Sequence, residues 1–592
     1  ILVSKIIDYS RVSSSNNGSW KNKMTLVACD GDSNTHAKDA EAIYEIVNVN
    51  ARQLNVNKIY IDAYQQEATP GGKTAKLVTE AINRDIEDGT LLWNYTGHGG
   101  DVVLAQQGIV TPNTINSWTN YNRLPFFITA TCGFGRFDKP GLVSGAEQTL
   151  LSSKGGSCGN LTSTRTVYQY TNAILNKRFY YHIYERDASG GYISIGDIVT
   201  KAKNEAILQN TNVYNRNYCL LADPSMKLCY PKDNIVITSI NSVPTGTTAD
   251  TLKSLSKVML EGALQDFNGN IISGFNGQAN IIVFDKPTNL TTLGTGGDQP
   301  LPFKLQNNFI FDGQATVANG LFKITFIVPK DISYQYDYGK ISLYANISNG
   351  TSDATGYYSN IVIGGSNPNA PADNTPPKVK LYLNDPSFVS GGIARDNPVF
   401  FADVSDENGI NVSAAGIGHE ITLTTSNSTD VIILNKYYSA SLDDYTKGKV
   451  QYPFSNLAPG TYSLHFKVWD TYNNSSEDVL EFTIEHITKI KLDHVLNYPN
   501  PFSTNTTFHF DHNRYGDDLM VQVQVYTVSG ILVKTLDETI YNSPSHVSSL
   551  SWNGMDDYGD KIGRGVYVYK LKIRSLRDGS TTHVYEKLVL LN

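Results

Sequence analysis

Up to about residue 230, short apolar runs alternate with stretches whose apolar residues recur at helical spacing. Met24-Thr-Leu-Val-Ala-Cys29, Lys58-Ile-Tyr-Ile-Asp-Ala63, Thr90-Leu-Leu-Trp-Asn-Tyr95 and Leu124-Pro-Phe-Phe-Ile-Thr-Ala-Thr131 read as strands. Residues 35–52 (through Ala40, Ile43, Ile46 and Val47) and 73–88 (through Ala75, Leu77, Val78, Ala81 and Ile82) read as helices. Strand and helix in alternation predict a mostly parallel sheet covered by helices.

After about residue 234 the period changes to two. Lys323-Ile-Thr-Phe-Ile-Val328, Val379-Lys-Leu-Tyr-Leu383, Tyr462-Ser-Leu-His-Phe-Lys-Val468 and Val521-Gln-Val-Gln-Val-Tyr526 lie between Gly, Pro, Asn and Asp turns, the pattern of antiparallel sandwiches. Gly364-Gly-Ser-Asn-Pro-Asn-Ala-Pro-Ala-Asp-Asn-Thr-Pro-Pro377 reads as an extended linker, and a second boundary is expected near residues 487–496. The expectation is an α/β domain over residues 1–234, then three immunoglobulin-like β-sandwich modules at 235–365, 376–486 and 493–592.

Composition narrows the class. The 592 residues carry a formal charge of −8, and charged residues make up 18%. That balance lacks the basic stripe of a nucleic-acid binder, while 40% hydrophobic residues suffice for packed cores. No apolar run is long enough for a transmembrane helix. The start at Ile1 reads as cut from inside a longer chain. Five cysteines, Cys29, Cys132, Cys158, Cys219 and Cys229, form neither a disulfide framework nor a zinc motif, and at least one thiol is left without a partner in the chain.

Three features close predicted parallel strands, the edge where α/β sheets bind ligands: Asp30, Gly97-His98-Gly99-Gly100 and Cys132-Gly133. A Cys and a His there make a nucleophile–base pair, with the imidazolium lowering the thiol's proton affinity and protonating the leaving amine. The N–H groups of Gly99 and Cys132 could face the developing oxyanion, and a carboxylate such as Asp30 could orient the imidazole. Asp30, Asp32, His36 and Asp39 also suggest a cation site of oxygen donors, against the plainer reading of a satisfied loop. His182, in Phe179-Tyr-Tyr-His-Ile-Tyr184, reads as structural.

Asn94-Tyr-Thr-Gly-His98-Gly-Gly100 followed by Leu124-Pro-Phe-Phe-Ile-Thr-Ala-Thr-Cys132-Gly-Phe-Gly-Arg-Phe-Asp138 resembles the gingipain family of cysteine peptidases, as does Leu220-Leu-Ala-Asp-Pro-Ser-Met226. Val27-Ala-Cys-Asp-Gly-Asp32, Thr35-His-Ala-Lys-Asp-Ala-Glu41, Asp62-Ala-Tyr-Gln-Gln66 and Leu161-Thr-Ser-Thr-Arg-Thr166 bring it closest to the gingipain-like sortases of type IX secretion. The resemblance implies a caspase-like catalytic domain with Cys132 as nucleophile, His98 as base and Asp30 as the acid orienting it. It requires no cofactor and no catalytic metal, and it admits calcium. Ala222 stands where the family has Gly before Asp-Pro. Asn34 and Thr35 stand where arginine-specific members carry an acid, so an arginine preference is not implied.

Near the C-terminus, Leu496-Asn-Tyr-Pro-Asn-Pro-Phe502, Tyr526-Thr-Val-Ser-Gly530, Trp552-Asn-Gly-Met-Asp-Asp-Tyr-Gly559 and Gly563-Arg-Gly-Val-Tyr-Val-Tyr569 resemble type IX C-terminal sorting domains. The implied partners are cargo proteins carrying such domains, the outer-membrane β-barrel PorV as dock for the C-terminal module, and a lipopolysaccharide-linked amine as acceptor, at the bacterial cell surface. A gingipain-like hydrolase and a non-catalytic surface scaffold are the competing readings.

Overall fold

The computed structural model describes all residues except 1, 12–14, 210–212, 247–249, 296, 417, 427–429, 485–489, 542 and 592. The expected boundary near 487–496 therefore falls partly outside the described residues.

The N-terminal sheet has strands β1 (Lys23–Ala28), β2 (Asn55–Tyr60), β3 (Leu92–Thr96), β4 (Phe126–Ala130), β5 (Gly159–Ser163) and β6 (Tyr218–Leu221) in the order β2-β1-β3-β4-β5-β6. The first five are parallel and β6 runs antiparallel at one edge. Successive residues point to opposite faces, so each strand feeds two cores. Leu26, Leu92, Phe126 and Leu161 pack under α2 (Thr35–Asn50), α6 (Gln169–His182) and α7 (Ile195–Gln209). Val27, Trp93 and Phe127 pack under α3 (Lys76–Asp88). Every residue of β3, β4 and β5 is buried, as expected for central parallel strands; β4 is accordingly almost wholly apolar, while β5 (Gly-Asn-Leu-Thr-Ser) buries mostly polar residues. The helix expected from residue 73 starts at Lys76, because Gly72–Thr74 pairs instead with Glu67–Thr69 in a small hairpin.

In the next module, Asp233–Ile240, Lys257–Gln265 and Leu321–Ile327 face Phe309–Ala318, Gly277–Phe284, Lys340–Ile347 and Asp353–Tyr358. The two sets join at both edges through only two residue pairs each, Val317↔Phe322 with Ala318↔Leu321 and Ala354↔Asp233 with Thr355↔Asn234. Together with Val243–Pro244 these strands make one eight-stranded sheet that closes on itself, not the sandwich of two separate sheets expected for this module. Residues 378–484 form a four-stranded and a five-stranded sheet, and residues 492–590 form two four-stranded sheets. One apolar core runs from Ile235 through Ile363 and on to Ile484, so the linker does not separate the two middle modules into independent cores. No helix among the described residues is long and apolar enough to cross a membrane.

The α/β domain and the second module are joined by a buried polar network. Lys21 Nζ meets Asp353 Oδ2 at 2.6 Å with both side chains almost fully buried. Tyr344 donates to the same oxygen (2.9 Å), and Asn22 donates to the Leu343 carbonyl (2.8 Å). Removing one member of a buried ion pair strands the other charge. Asp353→Ala should therefore lower unfolding free energy by about 3–5 kcal/mol, measured by urea denaturation. A loss below about 1 kcal/mol, the range of a surface pair, would show that water reaches Lys21.

Candidate active site

Three loops leave the sheet at one level. Ala28, Thr96 and Ala130 are in register across β1, β3 and β4, so Asp30, His98 and Cys132 stand together at the carboxyl ends of adjacent parallel strands. The His98 turn packs tightly there. A Cβ at Gly97 would lie 2.3 Å from Cys29 Cβ, and one at Gly99 would lie 2.6 Å from Thr131 Oγ1. Tyr95, buried in β3, donates its hydroxyl to the His98 carbonyl (2.5 Å). The Cys132 loop is pinned to the end of β5, with Gly133 N–H donating to Ser163 Oγ (2.9 Å) and the Arg165 carbonyl (3.2 Å).

The acid on His98 is Asp32, which corrects the assignment of that role to Asp30. His98 Nε2 lies 2.6 Å from Asp32 Oδ2. Asp30 is instead enclosed by amides, accepting from Gln66 Nε2 (2.9 Å) and from Gln107 Nε2 (2.9 and 3.0 Å). The physical reason is the turn after β1. Gly31 (φ +81°), Asp32 (+52°), Ser33 (+56°) and Asn34 (+59°) all have left-handed backbone, and this run swings Asp32 back over the strand end. A hydrogen bond to Nε2 fixes the tautomer that leaves Nδ1 as the basic nitrogen. The His98 contact is also the largest cause holding the Asp32 carboxyl below its ordinary range.

His36 Nε2 reaches the same Asp32 oxygen at 3.2 Å, and the two imidazoles stand edge to face at 5.2 Å. Burial pushes the His36 proton affinity down, with the His98 charge adding to it. Asp39 points away and accepts from Gln169. Asp30, Asp32, His36 and Asp39 thus do not converge. At this edge, among the described residues, Asp32, His36 and His98 have ligand atoms within 4.8 Å of one another, and the two imidazole bonds to Asp32 account for that grouping.

All five cysteines are free. Burial pushes the thiols of Cys29 and Cys229 up to about 11 and that of Cys158 to about 12, which keeps them protonated and unreactive. Cys132 is half-buried, and its thiol donates to the Val167 carbonyl (3.5 Å) at the entrance to α6. No hydrogen bond joins it to His98 among the described residues. The N–H groups of Gly99 and Cys132 likewise donate to no protein acceptor among the described residues. His182 bridges Glu185 (2.6 Å) and Glu205 (2.8 Å) away from this edge.

An arm from the second module completes the wall. Thr288–Thr291 and Pro302–Leu305 pair as a hairpin, with Phe303 against Tyr60 at 5.0 Å between ring centroids. Its loop binds Asp62, which accepts from Gly294 N–H (2.8 Å), Thr295 N–H (2.8 Å) and Thr295 Oγ1 (2.5 Å). Asp298 accepts the N–H groups of Ser33 (3.1 Å) and Asn34 (3.3 Å), and Asn34 donates to the Gln299 carbonyl (2.6 Å). The arm therefore holds the left-handed run that carries Asp32. Sequence reasoning missed Asp32 as the orienting acid and missed Asp298 altogether. The Asp-Gly-Asp-Ser-Asn string, rich in residues that tolerate left-handed backbone, was the available signal for the first.

Residues 1–229 match Peptidase family C25. Over this stretch the chain is similar to that peptidase family. The chain is similar to dimeric latent PorU from Porphyromonas gingivalis at 23% identity, over 96% of this chain and 64% of that one, with a TM-score of 0.31. It is similar to the Porphyromonas gingivalis RgpB pro- and mature-domain complex at 15% identity, over 61% and 73%, with a TM-score of 0.34. The chain thus spans less than two thirds of the PorU chain it matches. No curated protein sequence matches it.

Within the α/β domain, the two acids should separate by reactivity. Asp32→Asn should slow alkylation of Cys132 by iodoacetamide at neutral pH by about tenfold, the effect of one unit of proton affinity. Asp30→Asn should leave the rate nearly unchanged. Labelling is read at Cys132 by peptide mass spectrometry, and the reverse order would restore Asp30 as the orienting acid.

Proposed function

We propose that the chain is a cell-surface cysteine endopeptidase acting as a sortase. It would cut cargo proteins just before their C-terminal sorting domains and pass them to a lipopolysaccharide-linked amine. The observation that carries the peptidase chemistry is the level placement of His98 and Cys132 at adjacent strand ends, with Asp32 on His98. The C25 match supports the same chemistry. The sortase role, the acceptor and docking of the C-terminal module on PorV rest on the motif resemblance.

In this scheme the Cys132 thiol turns from the Val167 carbonyl toward His98, whose Nδ1 takes its proton. The thiolate attacks the scissile carbonyl, and the N–H groups of Gly99 and Cys132 stabilise the oxyanion. His98 returns the proton to the departing amine, leaving a thioester on Cys132. The acceptor amine then attacks the thioester, loses a proton to His98, and the thiol is restored. Such a two-step transfer predicts ping-pong kinetics. Asp32 keeps the imidazole in the tautomer these transfers need. The His98 side chain is 51% exposed, so water can also reach the thioester, and hydrolysis is the second reading.

Mass spectrometry of secreted cargo from cells carrying wild-type protein or Cys132→Ala tests this. Sortase action predicts wild-type cargo without its sorting domain and with a new C-terminal adduct, and mutant cargo with the domain retained. Trimmed cargo ending in a free carboxylate would assign hydrolysis instead. Equal processing in both strains would remove Cys132 as the nucleophile and favour a scaffold.

A further inference from the structure

Far from the catalytic edge, three carboxylates meet where the 364–377 linker crosses the third module. Asp373 comes from the linker, Asp406 from the loop after strand Val399–Ser405, and Asp470 from the loop after strand Gly460–Trp469. Each offers an oxygen within 4.8 Å of the other two. Asp406 is 5% exposed and Asp470 is fully buried.

The partners of these oxygens leave the charge unbalanced. Asp470 accepts from Asn474 Nδ2 (2.7 Å) and from the N–H groups of Tyr472 (2.9 Å) and Asn474 (2.8 Å). Asp373 accepts from Thr375 N–H and Asn408 Nδ2, both at 2.9 Å, and more weakly from Asn474 Nδ2 (3.5 Å). Asp406 Oδ1 accepts from Asn408 N–H (2.8 Å), but its second oxygen is buried with no donor at all. Among the described residues, no Lys, Arg or His forms an ion pair with any of the three. Buried carboxylates without a counter-charge are costly. Burial, and then the charges of Asp470, Glu407 and Asp373, push the Asp406 carboxyl up to about 7.

We propose that Asp373, Asp406 and Asp470 form a calcium site that clamps the linker onto the third module. Oxygens sharing one calcium ion at about 2.3–2.6 Å can lie at most about 4.6–5.2 Å apart, and this triad fits that span. Calcium also accepts the irregular set of carboxylate and carbonyl oxygens that loops supply, whereas magnesium demands near-octahedral geometry and gives up its waters reluctantly. The ion supplies the charge that no basic side chain supplies and gives the orphaned Asp406 oxygen its partner. Water and neighbouring carbonyls complete its coordination.

The site borders the contact between the two middle modules. Lys330 N–H donates to the Thr471 carbonyl (2.8 Å), next in sequence to Asp470. Asp331 accepts from Asn473 Nδ2 (2.8 Å), Asn411 Nδ2 (2.9 Å) and His419 Nδ1 (2.7 Å). Fixing the Asp470 loop therefore fixes the face on which the second module rests.

The test uses the full chain, stripped with EDTA and titrated with calcium chloride by isothermal calorimetry, with thermal unfolding read in parallel. Wild type should bind calcium and its Tm should rise, with a smaller rise for the same concentration of magnesium chloride. Asp406→Asn should bind one calcium ion fewer and lose that rise. Should Asp406→Asn fail to fold, Asp373→Asn, in the half-exposed linker, should still fold and bind at that site about tenfold more weakly or worse. An identical wild-type Tm in calcium and in EDTA would overturn the proposal. So would unchanged stoichiometry and affinity in the Asp373 variant, which would put the calcium elsewhere in the chain.

Discussion

The geometry of the candidate site hangs on one carboxylate that does not belong to the α/β domain. Asp298, on the arm of the second module, accepts the N–H groups of Ser33 and Asn34. Those residues and Asp32 form three consecutive non-glycine positions in left-handed backbone, a conformation that costs of order 1–3 kcal/mol at each such residue. Successive amides in such a turn point into one concavity and bind an anion. The Asp298 carboxylate offsets the strain, and the strained run is what carries Asp32 to His98.

The modules after residue 230 are therefore part of the site rather than an appended stalk. The arm is anchored through Asp62, and its Thr295 reaches Gln66, which in turn holds Asp30. The Lys21–Asp353 pair holds the same module against the sheet from its other side. The second and third modules share one apolar core, so the stiffness behind the arm extends well beyond the residues that touch the α/β domain. In the α/β domain the strand ends set Cys132 and His98 in level, while the neighbouring module sets the acid.

How much of this is legible in the sequence depends on the range of the interactions involved. The parallel sheet is written locally: paired apolar residues such as Leu26-Val27 and Phe126-Phe127 serve two cores at once, and a strand end places the residues just beyond it. His98 and Cys132 come straight from that rule. Asp30 meets the rule equally well and is still not the residue on His98, because the backbone reverses its hand at Gly31. The Asp298 contact spans some 265 residues of sequence, and no local pattern encodes it. The linker is legible as Pro-rich and extended, but its Asp373 gains meaning only beside Asp406 and Asp470, which arrive from two separate loops.

The most direct measurement combines two readouts on Asp298→Ala: amide hydrogen exchange over residues 31–34 and the alkylation rate of Cys132. The account predicts faster exchange at Ser33, whose amide loses its acceptor, with a smaller effect at Asn34, whose amide also donates to the Gly31 carbonyl (3.1 Å), together with a slower reaction at Cys132 as Asp32 leaves His98. Faster exchange with an unchanged Cys132 rate would contradict it, since the loop would then have opened without disturbing the site it is held to support.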